Sequence, residues 1–147
     1  MSMEKYNKIH FIGIGGISMS SLAEILKSKG KTITGSDGVA SNVTKALENI
    51  GIQVSIGQKA ENITPDTDLI VYTAAVREDN PELMAARASG IETVDRAALV
   101  GMMMLEYKFP LSVAGTHGKT TTSSLVTEIF LEAKANPTVS IGGILPS

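Results

Sequence analysis

Three short segments of this chain carry residue types whose order could do chemistry. Gly13-Ile14-Gly15-Gly16-Ile17-Ser18 is a glycine turn, Ser36-Asp37-Gly38 places a carboxylate 24 positions after Gly13, and Gly115-Thr116-His117-Gly118-Lys119-Thr120-Thr121 is a second glycine loop with a lysine and hydroxyls behind it. Glycines let a backbone turn tightly and let a diphosphate approach main-chain amides at the amino end of a helix, where the dipole favours negative charge. The same glycines would also serve a bare strand-to-helix turn with no ligand. Ser18 stands where the usual dinucleotide fingerprint has a third glycine, so either the helix packs less closely or the hydroxyl joins the phosphate contacts. Asp37 closes a strand, the position from which an acidic residue commonly bonds a ribose; a solvated turn residue before Gly38 is the alternative.

The later loop has the chemistry of a phosphate cradle. In such loops backbone amides surround the phosphates, the lysine reaches the terminal ones and the next hydroxyl binds magnesium. Those last two roles fall to Lys119 and Thr120, with Gly115, Thr116, His117, Gly118 and Thr121 completing an ATP-binding segment. Val113 stands where the general pattern has its first glycine. His117 reads as a loop position or a phosphate or ribose contact, because no partner carboxylate for acid-base work is visible nearby.

The surrounding elements must position these segments. Lys8 to Ile14 reads as a buried parallel strand, followed by a helix with Met19, Leu22, Ala23 and Leu26 on one face and a stop at Gly30. Thr32 to Gly35, Ile52 to Ile56, Asp68 to Thr73 and Ile91 to Val94 read as further strands. Val43 to Ile50, Pro81 to Ser89 and Asp95 to Tyr107 read as helices, the last with Met102 to Met104 as core. This β-α alternation predicts an α/β fold, a Rossmann-like doubly wound parallel sheet with ligands at the carboxyl ends of its strands. Phe109 to Ala114 reads as one more strand, running into the second loop and a helix through Ala133. Pro137 to Ile144, with Gly142-Gly143 near its end, reads as another.

Composition removes several function classes. With 13 basic and 15 acidic side chains and a net charge of −2, the chain offers no strong field for nucleic acid or for an anionic membrane. No cysteine is available for a disulfide or a thiolate metal site, which suits a cytoplasmic protein. The apolar runs are of strand length, so no signal peptide or membrane span is expected.

A hydride-transfer enzyme needs one dinucleotide and has no use for a phosphate loop about a hundred residues later. An enzyme that activates an acid with ATP while gripping a nucleotide-tagged substrate needs both sites. His10 to Ser20, Gly35-Ser36-Asp37 and Ala114 to Thr122 together resemble the Mur ligase family, within it the members that join L-alanine to UDP-N-acetylmuramate. The resemblance spans essentially the whole chain. It implies a UDP-sugar-binding domain over residues 1–107 and the beginning of a P-loop ATPase domain over 108–147. ATP and Mg2+ would be the cofactors, and UDP-N-acetylmuramate and L-alanine the partners. In the family the muramyl carboxylate is phosphorylated to an acyl phosphate, which the amino group of L-alanine attacks.

By the same resemblance Gly15, Gly16 and Ser18 would face the diphosphate, and Ser36 with Asp37 the uridine. Thr73, Ala74, Ala75 and Val76 would wall the site, Lys119 and Thr120 would be the catalytic pair, and Thr120 would hold magnesium. The sequence departs from the family's usual pattern at Ser18, Ser21 and Gln58. A relative that attaches a recycled tripeptide to the same nucleotide sugar, an NAD-binding dehydrogenase domain and a non-catalytic nucleotide-binding module are the alternatives. The acidic residues after Lys119 are Glu128 and Glu132, at least two helical turns from Thr120. The chain by itself therefore lacks the magnesium carboxylate that would act beside the Thr120 hydroxyl, and is expected to be an amino-terminal part that ligates nothing alone.

Overall fold

Strand β1 (Lys8–Ile12) alternates Ile9 and Phe11 on one side with His10 and Ile12 on the other, and all four are buried, so both sides of this strand must be covered. The computed structural model describes residues 3–140 and divides into a first unit ending at Lys108 and a second beginning at Phe109. In the first unit β1 is the centre of a five-stranded, wholly parallel sheet. The other strands are β2 (Thr32–Asp37), β3 (Gln53–Ile56), β4 (Leu69–Tyr72) and β5 (Glu92–Asp95), in the order β3-β2-β1-β4-β5. The winding direction reverses between β1 and β4, and ligands of doubly wound sheets enter at such a switch point.

Helices α1 (Ile17–Ser28), α2 (Asn42–Asn49) and α3 (Pro81–Ala88) connect strands, a 3-10 turn at Ala60–Asn62 serves between β3 and β4, and α4 (Arg96–Met104) follows β5. One face of the sheet is fully apolar: Ile9, Phe11, Ile33, Leu69 and Val71 meet Leu22 and Leu26 of α1, Leu47 of α2, and Leu99, Met102 and Met103 of α4. Two of the three consecutive methionines thus fill the core, as expected of a flexible side chain. On the opposite face Ile12 and Ile70 meet Leu83 and Ala86 of α3, a much smaller apolar cluster. The strand period places His10, Thr34 and Ser36 on that second face, beside the apolar cluster.

Element ends follow local chemistry. β1 stops at Ile12, two residues before the expected end, because Gly13 adopts φ +83 and the amides of Gly13 and Ile14 turn to the Ser36 carbonyl. Ser41 and Thr44 form a reciprocal capping box on α2. Asn80 caps α3 ahead of Pro81. Asp95, expected inside the fourth helix, is instead the last residue of β5 and the cap of α4, accepting from the Ala98 amide at 2.7 Å.

In the second unit helix α5 (Lys119–Glu132) forms where expected, but Phe109 to Ala114 is not a strand. A strand exists only through its pairing, the described residues of this unit contain no second strand to pair with, and Pro110 removes one donor. Residues 137–140 are likewise irregular, and the remainder of the expected strand to Ile144, with Gly142-Gly143, lies outside the described residues. Among the described residues no helix is long and apolar enough to cross a membrane.

Candidate nucleotide site

The first glycine turn sits at the carboxyl edge of the sheet, where β1, β2 and β4 end together. The Ser36 carbonyl accepts from both Gly13 and Ile14 at 2.9 Å. Asp37 Oδ2 accepts from the Gly15 amide at 2.8 Å, and its Oδ1 accepts from the Val39 amide at 3.2 Å. A β-carbon on Gly15 would lie 2.7 Å from that Asp37 oxygen, so glycine is what allows the carboxylate to approach. Gly13 is constrained twice, by its positive φ and by the Thr73 methyl 2.6 Å from where a β-carbon would stand. Gly16 begins α1 with no side-chain cap, leaving the amino end of a twelve-residue helix open beside the turn.

An open cleft of about 590 Å³ lies over this turn. Gly13, Gly16 and Asp37 form one wall; Thr73, Ala75 and Val76 and the following segment to Pro81 form the other, with Gln58 between them. Of the expected UDP-sugar residues, Gly16, Asp37, Thr73, Ala75 and Val76 therefore line one cleft. Gly15 supports it through Asp37, and Ala74 lies in the same loop without lining it. Ser18 stands aside, its hydroxyl accepting from Arg96 Nη1 at 3.1 Å. The Ser36 side chain is wholly buried under the turn and donates to Glu82 Oε2 at 2.7 Å.

Sequence reasoning missed the partners below and beside the cleft. Glu82, 0% exposed, receives Ser36 on one oxygen and faces His10 Nε2 at 2.7 Å with the other; His10 Nδ1 meets Thr34 Oγ1 at 2.8 Å. The polar residues at alternate positions of β1 and β2 hinted at a polar patch on one face. Their partner lies 72 and 46 positions away, beyond any local pattern. Asn80 adds Gln58, its Nδ2 donating to Gln58 Oε1 at 2.7 Å while its Oδ1 accepts from the Glu82 and Leu83 amides. Arg77 is paired with Asp79 on the cleft's outer lip, and Arg87 bonds Glu78, holding that carboxyl below its ordinary range.

In the second unit Gly118 takes φ +73 and starts α5 without a side-chain cap, so this helix also presents open amides. Lys119 Nζ donates to the Gly115 carbonyl at 2.6 Å, and Gly115 to Thr121 are exposed. A left-handed glycine, an uncapped fourteen-residue helix and a lysine at its first position fit a phosphate group.

Comparison with known proteins agrees with this architecture. The profile described as "Mur ligase family, catalytic domain" matches residues 8–108. The chain belongs to the Mur ligase family. It is 58% identical over 139 residues to UDP-N-acetylmuramate–L-alanine ligase of Agathobacter rectalis, a match covering 95% of this chain and 30% of that protein. The crystal structure of UDP-N-acetylmuramate-alanine ligase MurC from Thermotoga maritima superimposes with a TM-score of 0.85 at 38% identity, over 94% of this chain and 32% of that one. UDP-N-acetylmuramate:L-alanyl-gamma-D-glutamyl-meso-diaminopimelate ligase from Neisseria meningitides gives 0.86 at 31% identity, over 95% and 44%. The chain thus spans about 30% of the length of the curated relatives it matches.

Proposed function

We propose that the protein containing this chain joins L-alanine to the carboxylate of UDP-N-acetylmuramate with ATP, in the synthesis of peptidoglycan precursors, and that the first unit binds the UDP portion. The single observation behind the nucleotide assignment is the cleft itself: a glycine turn, an open helix amino end and Asp37 converge at the switch point of a parallel sheet. Greater identity to relatives named for L-alanine, 58%, than to the tripeptide ligase, 31%, supports the choice of amino acid.

In this reading the open amides of the first turn of α1, just after Gly16, receive the diphosphate, and Asp37 accepts from a sugar hydroxyl while holding the turn through the Gly15 amide. Thr73 to Val76 form the opposing wall. The second unit is the beginning of an ATP-binding domain: Gly115 to Thr121 would hold the nucleotide's phosphates, with Lys119 at the terminal ones and the Thr120 hydroxyl toward Mg2+. When bound, ATP supplies the phosphoryl group that activates the carboxylate. Use of ATP and a nucleotide sugar, both made in the cytoplasm, supports a cytoplasmic location in this reading.

Titration calorimetry of the chain with UDP, UDP-N-acetylmuramate and NAD tests the first assignment. Both uridine ligands should bind and NAD should not. Asp37→Ala should weaken UDP binding by about 1.5–3 kcal/mol, the loss of a charged hydrogen bond; unchanged affinity would remove Asp37 from the site. Phosphate release by the whole protein should require UDP-N-acetylmuramate, L-alanine and ATP together.

A further inference from the structure

The wall formed by residues 73–81 has no strand or helix of its own before Pro81, so its place must be set at its ends. At the start the Thr73 amide donates to the Ile12 carbonyl at 3.3 Å. At the far end Asn80 caps α3 and reaches Gln58, and one residue beyond the loop Glu82 enters the buried face of the sheet. There one carboxylate joins three elements: His10 on β1, Ser36 near the end of β2, and α3 itself. Ser36 in turn carries the amides of Gly13 and Ile14 on its carbonyl. Both walls of the cleft therefore lead to the same side chain.

A buried carboxylate is costly unless every oxygen is bonded. Leu83 beside it shows that apolar packing was available on the same helix face region, with Ile12, Ile70 and Ala86 around it. We propose that Glu82 is a positioning residue of the nucleotide cleft: it pins the amino end of α3, and with it the loop wall, to the strands beneath the glycine turn. This role rests on the nucleotide reading of the cleft for its use, though not for its geometry.

The experiment uses the 147-residue chain and two readouts, amide hydrogen exchange without ligand and UDP affinity by calorimetry. Glu82→Leu keeps the volume and removes both bonds. Amides of Gly13, Ile14, Val76 and Asn80 should exchange on the order of tenfold faster, and UDP affinity should fall by a similar factor. Glu82→Gln can still accept from Ser36 and donate to the other His10 tautomer, so it should stay close to the unsubstituted chain in both. Leu83→Ala, which removes packing alone, should lower global stability without singling out those four amides. Should Glu82→Leu fail to fold, Ser36→Ala cuts the link from the other side and should speed exchange at Gly13 and Ile14. Four amides affected no more by Glu82→Leu, or by Ser36→Ala, than by Leu83→Ala would overturn the proposal. Failure of the unsubstituted chain to bind UDP, with the exchange pattern as expected, would instead overturn the nucleotide reading and leave the pinning supported.

Discussion

The turn at Gly13 to Gly16 is held from outside, whereas the loop at Gly115 to Gly118 is shaped by its own residues. The first receives the Ser36 carbonyl, the Asp37 carboxylate and the Thr73 methyl, all from other strands or the loop after one. The second has Lys119 closing on the Gly115 carbonyl and the Thr122 amide closing on that of Gly118, with no atom within 4 Å of a β-carbon at Gly118. Similar strings of glycine before a helix thus produce a tightly packed site in one place and an exposed cradle in the other. The surroundings decide which, since a glycine only permits a conformation and a neighbour must hold it.

The comparison is most sharply broken by putting a methyl group in each loop. Gly13→Ala meets a left-handed backbone cost of about 1–2 kcal/mol and an overpacking cost against Thr73 of about 1–3 kcal/mol. The urea midpoint of the first unit should therefore fall markedly, and an unchanged midpoint would show that the turn relaxes freely. Gly118→Ala meets the left-handed cost alone, about 1–2 kcal/mol, in open space. It should lower the helix content of α5 and leave the first unit's midpoint untouched.

A smaller effect separates the two edges of the sheet. Opposite the cleft, the amides of Asn7 and Lys8 donate to Asp68 and depress its carboxyl, while Lys8 with Thr64 holds that of Asp66 down to about 2. A carboxyl whose folded pKa lies below its unfolded value, about 3.9, stabilises the fold above that value and loses this contribution as pH falls toward the folded one. Acid should therefore loosen the amino edge of the sheet between about pH 4 and pH 2. Asp66→Asn should flatten the stability profile in that window, as read by fluorescence-free methods such as amide exchange at Ile9. A profile unaltered by the substitution would remove Asp66 from the account.

Much of this was legible in the sequence, because the periodicities of a parallel sheet are local. The five strands and the helices between them lie within a few residues of their expected bounds, and Asp37 could be placed at the edge shared with the turn from the β-α order alone. Two things were not legible. The strand expected at Phe109 to Ala114 has the right residue types, but strand formation depends on a partner and not on composition. The Glu82 network was hidden because Glu82 looks like any acidic residue in the first turn of a capped helix. Its burial depends on His10 and Ser36, whose own pattern gave no reason to expect a charge opposite them.

The smallest expected effect concerns Lys119. Its bond to the Gly115 carbonyl is exposed to water, where a hydrogen bond contributes about 0.5–1.5 kcal/mol at most. Lys119 also places a cation at the amino end of α5, where the helix dipole disfavours positive charge by about 0.3–1 kcal/mol. Replacing it with alanine, a better helix former, loses the bond and relieves the repulsion. The two terms nearly cancel, so Lys119→Ala should change the stability of α5 by no more than about 0.5 kcal/mol, and UDP affinity in the first unit should not move. Circular dichroism during thermal unfolding checks the first statement and calorimetry the second. In the whole protein the same substitution should abolish ATP-dependent phosphate release. A loss of stability well above that limit would mean that the lysine shapes the loop; stability intact with activity gone would mean that it is there for the phosphates.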